Sequence, residues 1–178
     1  MKRLLLSIAM ASAVLTGCTT MSGARYNVSV DNNQALKAHA GAAIRLATLD
    51  SVTYDANCRL AGPIKPLDGM TIPQLIQKAF NDEFKFADVY SENGIALNGK
   101  MDKIAFSSSE GLTNGWWDLG ITLSSSNGRS MSVSNRYDFK SGFDAMTACN
   151  HTAQALGPAI QDLIKKVVTD PAFGSLVR

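Results

Sequence analysis

The stretch GWWDLGITLSSSNGRSMSVSNRYDF, residues 115–139, consists of two alternating runs of apolar and polar residues joined by a turn. Apolar residues recur at every second position, which is typical of strands with one buried face. In the first run these residues are Trp117, Leu119, Ile121 and Leu123, and in the second they are Met131, Val133, Tyr137 and Phe139. The stretch therefore predicts an antiparallel hairpin.

The loop of this hairpin determines how its two strands pair. A two-residue Asn-Gly turn would place Leu123 opposite Ser132, an apolar residue against a polar one on the same face. A three-residue loop over residues 126–128 places Leu123 opposite Met131 and keeps the apolar residues together. We therefore predict the three-residue loop, with Gly128 in the left-handed conformation.

A strand before the hairpin changes the phase of its alternation in the middle. The apolar residues of its first part are Ile95, Leu97 and Met101, and those of its second part, in the opposite phase, are Ile104 and Phe106. A bulge near residues 102–103 would restore the alternation. Further upstream, residues 42–49 predict a strand with Ile44 and Leu46 on one face, although their alanines also favour a helix.

Two amphipathic helices complete the pattern. In the first, residues 70–86, Thr71 and Gln74 have the spacing of a capping box. In the second, Ser141 is the predicted N-cap, and an apolar stripe continues past Pro158, which should kink the helix without ending it. Cys149 belongs to this stripe and should face the core.

These elements predict one α+β domain, a small, mainly antiparallel sheet with two helices packed on one face. The chain has 178 residues, of which 46% are hydrophobic and 18% charged, with a mean hydropathy of zero. This length fits a single domain, and the polarity excludes a protein with many membrane spans.

The N-terminus has the layout of an export signal. Lys2 and Arg3 precede an apolar run from Leu4 to Leu15, which is too short for the roughly 20 residues of a membrane-spanning helix. The next residues complete the sequence LTGC, residues 15–18, which resembles the bacterial lipobox, where the cysteine is acylated. An ordinary signal peptide followed by a free cysteine is the alternative.

This resemblance divides the chain into three parts. Residues 1–17 are the predicted signal peptide, residues 18–35 a lipidated N-terminus and tether beginning at Cys18, and residues 36–178 a single globular periplasmic domain. Similarity to lipoproteins generally implies the outer membrane, because no Asp follows the cysteine. The predicted location is the periplasmic face of that membrane, with the acyl chains as the anchor.

The charges of the chain are balanced once the signal is removed. Without Lys2 and Arg3, the 17 Lys and Arg residues become 15, equal to the 15 Asp and Glu residues. Binding to a polyanion depends on the number of cations that replace its counterions. We therefore expect no nucleic acid partner.

Cys58 and Cys149 remain as an even pair in an exported chain, which favours a disulfide. Two buried free thiols and a metal site are the alternatives. A zinc site would need His39 and His151 as well, but the sequence has no closely spaced pair of ligands. We therefore predict no metal.

No residues have the spacing of a catalytic centre. The serine clusters at residues 107–109 and 124–126 lie at strand ends and match neither a nucleophile elbow nor a Ser-x-x-Lys pair. His151 is predicted to lie on the solvent side of its helix. No two carboxylates are singled out by spacing, and no glycine loop for phosphate is present. The sequence thus predicts no catalytic residue, no cofactor and no enzymatic activity.

Trp116 and Trp117 are neighbours on a strand and must point to opposite faces. Trp117 shares the apolar face, whereas Trp116 shares the other face with Asp118, Thr122 and Ser124. A tryptophan on a polar face is a candidate for partner recognition. Cover by a loop or by the tether is the alternative.

Several segments resemble a family of uncharacterised proteobacterial outer-membrane lipoproteins. They are CRLAGPI (58–64), GWW (115–117), SSNG (125–128), YDF (137–139), AC (148–149) and PAIQDLI (158–164). The similarity runs from about Asn27 to Leu176 and supports the disulfide and the outer-membrane address, but this family has no assigned activity. The order of elements is also similar, more distantly, to the YajG-like lipoproteins.

Three functions are compatible with an anchor, a folded domain and no reactive cluster. We expect a non-catalytic binding or envelope-assembly accessory with an envelope protein as its partner. The alternatives are an enzyme or enzyme modulator acting on peptidoglycan or lipid, and a structural lipoprotein that associates with itself.

Overall fold

The computed structural model describes residues 21–23 and 25–178. The strands are β1 (Met21–Ser22), β2 (Ile44–Asp50), β3 (Ile64–Lys65), β4 (Ile95–Glu110), β5 (Asn114–Ser125) and β6 (Ser130–Lys140). The helices are α1 (Val30–Leu36), α2 (Ile72–Phe86), α3 (Ala145–Thr169) and α4 (Phe173–Leu176). The lipobox and the predicted signal peptide lie outside the described residues.

The main sheet has four strands in the order β2-β4-β5-β6. The pairs β4–β5 and β5–β6 are antiparallel, whereas β2 runs parallel to β4. In the hairpin, Leu123 lies opposite Met131 and Ile121 opposite Val133, which confirms the predicted three-residue loop. Gly128 has a φ of 82°, a conformation that glycine adopts without strain.

The predicted bulge lies where the alternation of β4 changes phase. The β4–β5 register shifts between Met101 and Lys103, so Met101 and Ile104 both face the core although they are three positions apart. The strand predicted at residues 42–49 forms β2, with Ile44 and Leu46 buried. The alternation in the sequence thus determines the sheet.

Two helices cover one face of this sheet, as predicted. Helix α2 packs on β2, and α3 packs on β4, β5 and β6. Trp117, Leu119 and Ile121 are fully buried beneath α3, and the Trp117 indole N–H donates to the carbonyl oxygen of Thr152 at 2.9 Å. The core is therefore a single layer between the sheet and its helices.

The capping box of α2 is confirmed: Gln74 N donates to Thr71 Oγ1, and the Gln74 side chain accepts from Thr71 N. Helix α3 continues through Pro158, so the proline does not end it. The apolar stripe on α3 is buried from Cys149 onward, whereas Met146, which the pattern also included, is exposed.

The predicted cap of α3 at Ser141 is wrong. Ser141 is bound to the sheet instead: its N–H donates to the Thr113 carbonyl and its hydroxyl to the Ser108 carbonyl. The helix begins three residues later, where the Asp144 carboxylate accepts from Thr147 N at 2.9 Å. Both residues are good N-caps by type, and the contact with the sheet decides between them.

The folded part of the chain begins earlier than the sequence predicts. Residues 18–35 are the predicted tether, yet β1 pairs in parallel with β3, and α1 packs against α2 and α3. Met21 is buried in the core, and Asn32 and Asn33 of α1 are buried as well. Polar side chains make most of this segment's contacts, so its small and polar composition does not indicate a free tether.

A disulfide joins Cys58 to Cys149, as predicted. It connects the loop before β3 to the first turns of α3, and both residues are buried. Two distant parts of the sequence, 91 positions apart, are thus fixed at one end of the molecule. Within residues 21–23 and 25–178, no helix is both long enough and apolar enough to cross a membrane.

Candidate recognition face

The face of the sheet that lies away from the helices is polar. We call it the open face; its residues are exposed or half-buried. On β5 it carries Trp116, Asp118, Thr122 and Ser124, and on β6 it carries Ser130, Ser132, Ser134, Arg136 and Asp138. On these two strands small hydroxyl residues cover most of the face, and Trp116 and Arg136 are the two largest side chains.

Trp116 and Arg136 are stacked on each other. The guanidinium carbon of Arg136 lies 4.8 Å from the centre of the Trp116 ring, within the range of a cation–π contact. Arg136 also binds Glu110 at 2.6 Å and Asp138 at 3.0 Å. The hydrogen bond to Asp138, and after it the one to Glu110, raise the pKa of Arg136 above its ordinary value. The Trp116 ring is therefore held in place by a fixed cation on a strand of the same face.

A cleft of about 470 Å³ opens beside this pair. It lies between the β4–β5 turn and the end of β6, and its lining residues are Glu110, Gly111, Asn114, Arg136, Asp138, Phe139 and Lys140. The two acidic residues are paired with Arg136, and Lys140 donates to the Asn114 side chain at 2.9 Å. The cleft therefore presents side chains of both charges together with hydrogen-bond donors and acceptors. Such a lining suits the polar groups of a partner better than a single strong charge.

The rest of the open face is held by further pairs. Lys103 binds Asp118 at 2.6 Å, and the Thr122 hydroxyl contacts both Asp102 and Ser132. These contacts cross all three antiparallel strands and favour one arrangement of the side chains in the absence of a partner. A surface fixed in this way loses little conformational freedom on binding.

The other residues considered in the sequence lie apart from this face. Cys18 is outside the described residues, and the Cys58–Cys149 bond lies on the helix side of the sheet. His39 packs edge-on against Phe173, and His151 is half-buried on α3 rather than fully solvated. Within the described chain, no three His, Cys, Asp or Glu residues come together as metal ligands.

A second polar cluster is buried where the N-terminal segment meets α2. Glu83 is fully buried, and its Oε1 accepts from the Tyr26 hydroxyl at 2.6 Å, from Ser29 N at 2.8 Å and from the Asn32 amide at 3.2 Å. Burial and then the bond to Glu83 raise the pKa of Tyr26 well above its usual range. Because every donor comes from residues 26–32, this carboxylate holds the N-terminal segment on the domain.

Sequence reasoning missed two residues that the structure makes important. The predicted register already places Arg136 opposite Asp118, and hence diagonal to Trp116, so the stacked pair could have been found from the pairing alone. Glu83 lies three positions after Phe80 on the apolar stripe of α2. An acidic residue at such a position indicates a buried, hydrogen-bonded carboxylate.

Comparisons with known proteins give a distant similarity of fold. No family model matches the chain, and none of the curated proteins matches it. A Caulobacter crescentus protein described as a lipoprotein is 8% identical, with a TM-score of 0.42 over 79% of this chain and 92% of its own. A minor lipoprotein of Acinetobacter baumannii is 10% identical, with a TM-score of 0.37 over 75% of this chain and 92% of its own.

Proposed function

We propose that this chain is a lipoprotein anchored in the outer membrane through Cys18, whose periplasmic domain binds an envelope protein through the open face. It acts as a non-catalytic binding or assembly accessory. The observation that carries the proposal is the Trp116–Arg136 pair, an aromatic residue and an arginine stacked on each other on an otherwise polar face. Tryptophan and arginine are among the residue types most enriched in the energetic centres of protein interfaces.

The anchor is supported by the sequence LTGC at residues 15–18, which follows an apolar run of export-signal length. Its test is metabolic labelling of growing cells with an alkyne fatty acid. The parent protein should be labelled and should sediment with membranes, and Cys18→Ser should lose both properties. An unlabelled parent protein would overturn the anchor.

The partner is tested by photo-crosslinking in intact cells. A crosslinking amino acid at Ser134, which is exposed on the open face, should give a discrete protein adduct. The same amino acid at Lys166, which is exposed on α3, is the matched control and should give none. Trp116→Ala should reduce the Ser134 adduct without changing the amount of folded protein.

The other outcomes of this experiment reject the proposed role. A glycan or lipid adduct from Ser134 would favour an enzyme or modulator acting on peptidoglycan or lipid. Adducts between copies of this chain alone would favour a structural, self-associating lipoprotein. Equal adducts from Ser134 and Lys166 would show that the open face has no special part in binding.

A further inference from the structure

Exposed apolar side chains are concentrated at one end of the molecule. Leu60 is fully exposed in the turn before β3, Leu112 is 68% exposed in the β4–β5 turn, and Phe143 is 77% exposed just before α3. Met146, in the first turn of α3, is 46% exposed. We call these four residues the end patch.

Hydrogen bonds join the loops that carry the end patch. The Arg59 guanidinium donates to Ser108 and, at 3.4 Å, to the Phe143 carbonyl, so the turn with Leu60 is fixed to the loop before α3. Ser141 N donates to the Thr113 carbonyl at 2.8 Å, which joins the turn containing Leu112 to the same loop. The four side chains therefore project from one connected set of loops.

Leu112 has an unusual backbone conformation for its type. Its φ is 76°, in the left-handed region that favours glycine or asparagine. A bulky apolar residue is thus placed, at a conformational cost, at the exposed tip of a turn. Neither packing nor the turn itself explains a leucine at this position.

The N-terminal segment approaches this end of the molecule. It runs alongside α3 and in the same direction, since Gly23 passes against Ala153, Asn27 accepts from Gln161 at 2.7 Å, and Asp31 binds Lys165 at 2.8 Å. Followed backwards, the segment leads towards the start of α3, where Phe143 and Met146 lie. Met21, the first described residue, therefore lies on the side of the end patch.

Few residues separate the proposed anchor, Cys18, from Met21. Cys18 precedes Met21 by three positions, and three residues span at most about 10 Å. Met21 is buried, and its N–H donates to the Pro63 carbonyl at 3.2 Å, so Met21 is fixed on the domain. Acyl chains on Cys18 would bring this end of the molecule against the bilayer.

We infer that the end patch rests in the phospholipid interface beside the lipid anchor and sets the orientation of the domain on the membrane. This inference relies on the acylation of Cys18 that the proposed function includes. Apolar side chains next to an acyl anchor add a second, weaker contact with the membrane. Asp144 is exposed between Phe143 and Met146, so the patch lies at the boundary between the headgroups and the upper part of the acyl chains and goes no deeper.

The test places a tryptophan in the patch and measures its contact with lipid. Purified acylated protein is reconstituted into vesicles of phosphatidylethanolamine and phosphatidylglycerol, with or without a phosphatidylcholine brominated on the upper part of its acyl chains. Phe143→Trp is made in a Trp116→Phe background, where the one remaining native indole is the buried Trp117. Bromine quenches only an indole that reaches it, so the emission of Phe143→Trp should fall.

Phe86→Trp in the same background is the matched control. Phe86 is 50% exposed at the end of α2, and its carbonyl accepts from the Asn33 side chain in α1. It therefore lies beside the end of the N-terminal segment that is farther from Met21 along the chain. Its emission should not change on bromination. Leu60→Trp is a second patch variant and should be quenched like Phe143→Trp.

The possible outcomes distinguish a failure of this inference from a failure of the proposed acylation of Cys18. Protein that is not acylated and does not float with the vesicles contradicts the proposed function itself. Protein that floats while neither patch variant is quenched overturns the inference and leaves the end patch as a surface for a protein. Equal quenching of Phe86→Trp and Phe143→Trp overturns it as well, because the domain would then have no fixed orientation.

Discussion

Two adjacent tryptophans have opposite environments at the residue scale. Trp117 is fully buried beneath α3 and contacts Phe106, with the two ring centres 4.8 Å apart. We expect Trp117→Ala to lower the free energy of unfolding by about 3–5 kcal/mol, as core truncations do. Trp116→Ala should cost little stability and weaken partner capture by about 1 kcal/mol or more. Urea unfolding and the crosslinking yield measure the two effects.

One result would contradict these different roles of the two tryptophans. If Trp116→Ala unfolds the protein as readily as Trp117→Ala does, the Trp116 ring and its Arg136 cover are part of the fold, and the open face loses its main claim to recognition. Arg136→Gln then offers a second check, because it removes the stacked cation while the indole stays.

Tyr26 gives a prediction about alkaline pH. The folded state holds the phenol proton more tightly than the unfolded chain, where tyrosine ionises near pH 10. Its contribution to stability is therefore complete below about pH 10 and falls as the pH rises further, because ionisation then favours the unfolded chain. Tyr26→Phe should be less stable by about 1–2 kcal/mol at neutral pH, through the lost bond to Glu83, and should lose part of this alkaline decline.

Urea unfolding of both proteins at neutral and alkaline pH checks this. Tyr54→Phe, which removes a half-buried tyrosine elsewhere, is the matched control. An identical alkaline decline in Tyr26→Phe and the parent would mean that Tyr26 is not the group responsible.

At the scale of elements, the strands show how much of the fold the sequence predicts. Alternation alone gives the hairpin register, the bulge and β2, because one face of each strand must meet the core. The cap at Asp144 and the packed N-terminal segment were missed, because hydrogen bonds to distant parts of the chain decide both. The alternation around Trp116 places the open face correctly. The identification of Arg136 as the residue stacked on Trp116 requires the strand register as well.

The disulfide should stabilise the arrangement of the loop before β3 on α3. Closing a loop of 91 positions contributes about 4–5 kcal/mol in the chain-entropy model. Cys58→Ala combined with Cys149→Ala should therefore lower the melting temperature clearly, and reduction of the parent should have the same effect. Thermal unfolding with and without reductant measures both, and free thiols in protein isolated without reductant would contradict the bond.

At the scale of the whole molecule, the proposed anchor at Cys18 is separated from the folded domain by a short length of chain. The Glu83 cluster and the contacts along α3 hold Asn27, Ser29 and Asp31 on the domain. Cys18 precedes the first described residue, Met21, by three positions. The cleft beside Trp116 borders the same β4–β5 turn that carries Leu112. With the end patch on the bilayer, as we infer, a partner bound at this cleft would lie close to the membrane surface.

This short connection can be tested by lengthening it. A flexible insertion of about a dozen Gly and Ser residues after Thr20 adds a mean reach of about 20 Å, roughly twice the native span. Acylation, flotation and the melting temperature should not change, because no described residue is altered. Quenching of Phe143→Trp by brominated lipid should decrease, since the anchor no longer holds the end patch on the bilayer. Replacing Thr19 and Thr20 by serine keeps the native length and should retain the quenching. Undiminished quenching after the insertion would show that the end patch finds the membrane by its own affinity, and that the closeness of Cys18 to Met21 has no part in orienting the domain.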